Sequence, residues 1–180
     1  MFNTTDKTDK ATYYRQHWKL YDWTNEEIVK ACVYKTLKII SDMECRIKCI
    51  SKEANETRNF TNMKCYIECA ILSAKGKVDE YAFLSPKKYV DKQSLGDIII
   101  SKDVYTMSKD EIVTASMCKT QYIINRIKNN IICIIIDAYR TYNFSNVVDT
   151  LNDAITVAKQ SVITEYASLR PNEYVIVWSE

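Results

Sequence analysis

Two glycines and two prolines serve all 180 residues, and this scarcity limits the fold more than any other feature of the chain. Sandwiches and barrels need a tight turn every few residues, and tight turns need Gly and Pro. The chain is therefore expected to be all-α. Apolar residues make up 47% and charged residues 27%, the balance of a folded globular protein. The length suits one domain with a substantial core. A formal charge of +2 points to neither nucleic acid nor a membrane surface as partner. The longest apolar run, "IICIII" at 131–136, is far short of the ~20 residues that cross a bilayer.

Helix starts are written clearly at two places. Thr24 with Glu27, and Ser108 with Glu111, are capping boxes ahead of helically spaced apolar residues. The first helix carries Ile28, Cys32, Leu37 and Ile40 on one face, and "ECRIKCISKEANETRNFTN" then reads as a short helical turn and a loop. Thr61 is expected to cap a helix from about 62 to 75, stopped at Gly76. A second long helix from Ser108 should break at Asn129-Asn130, before the apolar "IICIIIDAYRTY". Val147, Leu151, Ile155, Ala158, Val162 and Tyr166 mark a last helix. The reading is a polar, disordered N-terminal segment at 1–11, then a single helical ligand-binding domain of about six to eight helices over 12–180. It includes an extra C-terminal helix and an apolar tail. No internal repeat and no low-complexity linker is read in the chain.

Seven cysteines leave three readings open. "CRIKC" and "CYIEC" have the two-pair look of a zinc site, although zinc knuckles favour Gly-containing turns. A redox pair needs two intervening residues, and these pairs have three. Cysteines four apart in a helix share a face, so each could bond a different neighbouring helix; unpaired core thiols are the third possibility. Asn-x-Ser/Thr acceptors occur at Asn3, Asn55, Asn59 and Asn143. The start, "MFNTTDKTDKATYY", has no apolar central region of a signal peptide. Sequons and cysteines together favour a secreted, extracellular glycoprotein in mature form, with Met1 added for expression.

The stretch "MKCYIECAILSAKGKVDEYAFLSPKKYV" resembles the second-to-third cysteine segment of the insect odorant-binding protein superfamily. There a helical C-x3-C runs to a turn, an acidic loop and the next helix. Cys32 upstream, and Cys118 and Cys133 downstream, fall where that family places its first, fourth and fifth cysteines, with Tyr142 where a sixth is expected. The resemblance spans roughly Thr24 to Ser145. It implies Cys32–Cys69 and Cys65–Cys133 disulfides, with Cys118 taken by Cys45 or Cys49. The added C-terminal length looks like the salivary branch of blood-feeding insects, which scavenges biogenic amines and lipid mediators. The implied fold is a disulfide-bridged helical shell around an internal cavity.

On that reading the ligand-binding residues are Tyr34, Leu37, Tyr66, Ile71, Phe83, Tyr122, Ile135, Asp137, Tyr139 and Trp178, each of which could equally be core. Asp137 is the candidate partner of a cationic amine, or else pairs with Arg140. Catalysis has little to work with: His17 is the one histidine, and no triad, phosphate loop or metal-binding His-Glu-x-x-His is present. The expectation is a monomeric, non-enzymatic carrier that sequesters a biogenic amine, eicosanoid or other lipid-like molecule. It uses no cofactor and no metal, contacts no nucleic acid and inserts in no membrane. The alternatives are a secreted protein-binding inhibitor on the same scaffold and an intracellular helical interaction or regulatory protein with reduced cysteines.

Overall fold

The computed structural model describes residues 23–79 and 98–169. The protein is all-α, with no strand among the described residues. These hold four α-helices: α1 (Asn25–Thr57), α2 (Met63–Gly76), α3 (Lys109–Thr141) and α4 (Val147–Tyr166), plus a short 3-10 helix (Lys102–Thr106) ahead of α3. Within the described residues, two breaks expected from the sequence are absent. "ECRIKCISKEANET" continues α1, where Ile47, Ser51 and Ala54 keep the buried stripe in phase. Asn129 and Asn130 sit exposed inside α3, between buried Ile127 and Ile131. A polar pair on the wet side of a helix does not stop it. Each long helix has 33 residues, or about 50 Å.

Both capping boxes form. Glu27 N donates to Thr24 Oγ1 at 3.2 Å while Thr24 N donates to Glu27 Oε2 at 2.8 Å; Glu111 and Ser108 do the same at 3.2 and 2.6 Å. The long helices also end alike. Arg58 (φ 54°) and Tyr142 (φ 51°) turn into the left-handed region. Asn59 N then bonds Ala54 O at 3.1 Å and Asn143 N bonds Ala138 O at 3.2 Å. Thr61 is not a cap: Asn62 precedes α2 without a side-chain bond, and Thr61 N donates to Asn59 Oδ1 at 3.2 Å, as Ser145 N does to Asn143 Oδ1.

These matched details come from a tandem duplication, which overturns the reading of a chain without internal repeat. Shifting the chain by 84 residues, the separation of Thr36 and Thr120, aligns 24–79 with 108–163 without a gap. Over those 56 positions 21 residues are identical. "EIVKACVYKT" matches "EIVTASMCKT", and "NFTNM" matches "NFSNV". Beyond them "EYAFLSPKKYV" matches "EYASLRPNEYV" with one added residue. Identical apolar pairs such as Ile28/Ile112, Ile39/Ile123, Ile47/Ile131 and Ile71/Ile155 are buried in both copies, as copies of one packing unit require.

Each copy is a helical hairpin, α1–α2 or α3–α4. The two meet about a local two-fold axis, because equivalent residues touch each other across it. Thr36 Oγ1 lies 2.8 Å from Thr120 Oγ1 near mid-bundle, and the Phe60 and Phe144 rings stack at 4.1 Å where the hairpins turn. Self-matched contacts of this kind define an isologous interface. α1 and α3 therefore run parallel and side by side. At their starts Asn25 Nδ2 donates to Val104 O and Met107 O at 2.8 and 3.0 Å. α2 and α4 run the other way on opposite flanks, each packed against both long helices. Ile28, Ile39, Ile40, Ile47, Ile67, Ile123, Ile131, Ile135, Leu151 and Val162 fill the interior.

The left-handed corners supply a stability test. Tyr142 is 89% exposed, so its ring contributes little packing while its Cβ is strained at positive φ. Tyr142→Gly is expected to stabilise the fold by about 0.5–1 kcal/mol, read as a higher midpoint in urea with an unchanged slope.

Candidate functional site

The ten ligand-binding residues expected from sequence do not converge. Ile71 and Ile135 are core residues at 1% and 0% exposure. Tyr66 and Tyr122 are exposed on α2 and α3. Tyr34 and Leu37 are half-buried on α1. Tyr139 is half-buried, its hydroxyl donating to Phe60 O and its ring meeting Phe144 edge-on. Asp137 is exposed and pairs with Arg140 at 2.6 Å, so it waits for no amine. Phe83 and Trp178 lie outside the described residues, as do His17 and Asn3. An open depression of about 220 Å³ at the α3–α4 corner is lined by Asp137, Thr141, Asn143 and Thr150 among others. It is too polar and shallow for a lipid guest. The sequon asparagines Asn59 and Asn143 serve the hairpin corners through their side-chain oxygens, and Asn55 lies within α1.

The cysteines are thiols, none joined to another. The expected Cys32–Cys69 and Cys65–Cys133 bridges, and a bridge from Cys118 to Cys45 or Cys49, are corrected accordingly. The reason is placement. Cys32 is wholly buried on α1, whereas Cys45, Cys49, Cys65, Cys69 and Cys133 are exposed and Cys118 is half-buried. Cys32 matches Ser116 in the other copy; both are small residues beside the axis, where α1 and α3 approach. Burial pushes the Cys32 thiol up to about 12, against a smaller opposing effect of the Ser116 hydroxyl. Thiolate is the reactive form. Alkylation of the native protein is expected to label the five exposed thiols first, Cys118 more slowly, and Cys32 only after denaturation; peptide mass mapping reads the order. Among the described residues no three His, Cys, Asp or Glu side chains gather to hold a metal ion, and no helix is long and apolar enough to cross a membrane.

Four large apolar residues are exposed on α2 and α3 at positions where the duplicate is polar. Tyr66, Leu72, Tyr122 and Ile136 are 56%, 62%, 48% and 51% exposed. Their counterparts on the opposite face are Thr150, Thr156, Lys38 and Lys52. Two further positions on α2, Cys65 and Cys69, correspond to Asp149 and Asp153 on α4. α2 and α3, one from each hairpin, thus expose apolar and thiol side chains where the matching positions of α4 and α1 carry hydroxyls, lysines and carboxylates.

The seams beneath these faces differ in charge. Between α1 and α4, Glu44 receives Lys159 at 2.7 Å and Lys48 at 2.8 Å. Burial alone would raise the Glu44 carboxyl, but the two lysines outweigh it and hold it below its ordinary 4.5. The copy-equivalent positions between α3 and α2 are Lys128, Lys75 and Ile132. A lysine thus faces a lysine where the sister seam has an ion pair. Partial burial, then the Lys128 charge, lower the Lys75 ammonium below its ordinary range. Gln121 Nε2 donates to Lys75 O at 3.2 Å and ties the end of α2 to α3 at this place. Among the described residues neither lysine has a carboxylate partner, and Glu68, the acid of α2, bridges neither. The signal for this site in the sequence is the repeat itself, "NFTN" and "NFSN", and not any local motif at Lys75 or Lys128. Comparison of the chain with protein-family models, curated proteins and solved structures finds no match.

Proposed function

We propose that the protein is a non-enzymatic helical interaction module of a reducing compartment, binding a partner protein through the exposed face of α2 and α3. The observation that carries the reading is the divergence between copies. Tyr66, Leu72, Tyr122 and Ile136 are apolar and exposed where the duplicated positions are polar. Large exposed apolar side chains on α2 and α3, at positions whose duplicates on α4 and α1 are polar, fit a binding surface. The thiols fit a reducing environment. The carrier reading loses its support with the crosslinks, since its hollow interior depended on them and isoleucines occupy the space between the helices.

The duplication supplies its own test. Tyr66→Thr, Leu72→Thr and Ile136→Lys install residues already tolerated at the matching positions, so the fold should survive. The mirrored variant, Thr150→Tyr, Thr156→Leu and Lys52→Ile, leaves α2 and α3 untouched. A partner recovered by in-cell crosslinking to the wild type and the mirrored variant, but not to the first variant, is the expected result. Equal recovery by all three would remove the reading.

A further inference from the structure

We infer that the α2–α3 seam is a receptor for an acidic side chain on an amphipathic helix of the partner, with Lys75 and Lys128 receiving the carboxylate and Leu72, Ile132 and Ile136 taking the flanking apolar residues. The inference rests on the interaction reading and adds the chemistry of what is bound. The sister seam shows the chemistry that this geometry completes. There, a carboxylate on one helix reaches a lysine on its neighbour at 2.7 Å, with a second lysine at 2.8 Å. The two-fold relation carries Lys159 onto Lys75 and Glu44 onto Lys128, so the α2–α3 seam keeps the cation and replaces the anion with a second cation. Two half-buried lysines whose charges act on each other repel and favour an anion between them. Their surroundings select its source. Leu72 stands one turn before Lys75 on α2, and Ile132 and Ile136 stand one and two turns after Lys128 on α3. A small inorganic anion uses none of that apolar surface. A helix with leucines flanking one glutamate uses all of it.

The test uses the full chain and a fluorescent synthetic amphipathic helix of leucines with one central glutamate on its apolar edge, read by anisotropy. Binding is expected to weaken about tenfold when the peptide glutamate becomes glutamine. Lys128→Glu is expected to abolish binding, because it supplies the missing carboxylate from within the chain. The same substitution should raise the unfolding temperature by about 2–4 °C by converting repulsion into a pair. Lys52→Glu, with the same change in net charge on α1, is expected to leave binding within about twofold. Conversely, Glu44→Lys should open a second charge pair in the sister seam and lower the unfolding temperature. Binding indifferent to the peptide glutamate, or lost equally with Lys52→Glu, would overturn the inference. So would inorganic phosphate competing at concentrations comparable to the peptide's. A partner captured through Tyr66, Leu72 and Ile136 whose binding Lys128→Glu leaves unchanged would also remove the acid-receiving role, with the interaction reading still standing.

Discussion

Replacing Glu165 with glutamine is expected to cost about 2–3 kcal/mol of folding free energy. Glu165 ends α4 beside Lys119, whose ammonium lies 3.1 Å away and whose side chain is only 6% exposed. Arg126 donates to the other carboxylate oxygen and to Ser161 Oγ, and its guanidinium lies over the Tyr122 ring. Glutamine keeps the shape and removes the charge that Lys119 faces. Adding Lys119→Met to Glu165→Gln should restore part of the loss, because the desolvated ammonium goes as well; a double-mutant cycle in urea measures the coupling. The pH dependence has a definite sign. Burial alone would raise the Glu165 carboxyl, but Arg126 and Lys119 hold it below its ordinary 4.5. A carboxyl depressed in the folded state contributes stability that is complete above about 4.5 and disappears as pH falls through the folded value. The wild type and Glu165→Gln should therefore differ most near neutrality and converge in acid. A difference independent of pH would show that shape, not charge, matters at this position.

The second large effect is expected at Tyr166. Its side chain is fully buried, and its hydroxyl lies 2.8 Å from Thr36 Oγ1, 2.9 Å from Thr120 Oγ1 and 3.2 Å from Ser116 O. Thr36 and Thr120 also bond the carbonyls of Cys32 and Ser116, four residues back. Three hydroxyls thus close a small polar cluster on the axis between the hairpins. Tyr166→Ala removes an aromatic ring from the core and should cost about 4 kcal/mol. Tyr166→Phe keeps the ring and should cost about 1–2 kcal/mol, since the threonines keep their carbonyl acceptors. Equal losses for Phe and Ala would mean that the hydroxyl dominates; no loss for Phe would mean that it contributes nothing.

The sequence made the helix starts plain because a capping box is local chemistry: four residues at Thr24–Glu27 or Ser108–Glu111 carry the whole signal. It misled at Asn129-Asn130, where two polar residues read as a break are only the wet side of a helix held by Ile127 and Ile131. The cysteines misled for a related reason. "CRIKC" and "CYIEC" each put two thiols on one stripe, and with Ile47 and Ile67 turned to the core those stripes face solvent. The Lys75–Lys128 juxtaposition could not be read locally at all, since its partners lie on different hairpins. It becomes visible only when residues 84 apart are compared, and the copies' shared core positions then fix which surface residues correspond.

Covalent fusion of the two hairpins also changes what the lysine pair means. Were the hairpins separate identical subunits, positions 44 and 128 would be one residue, and every change there would appear twice. Both seams would be latched, or both would gape. Joined in a single polypeptide, the two seams can specialise: one keeps its glutamate and stays latched, while the other gives up that glutamate and becomes a mouth.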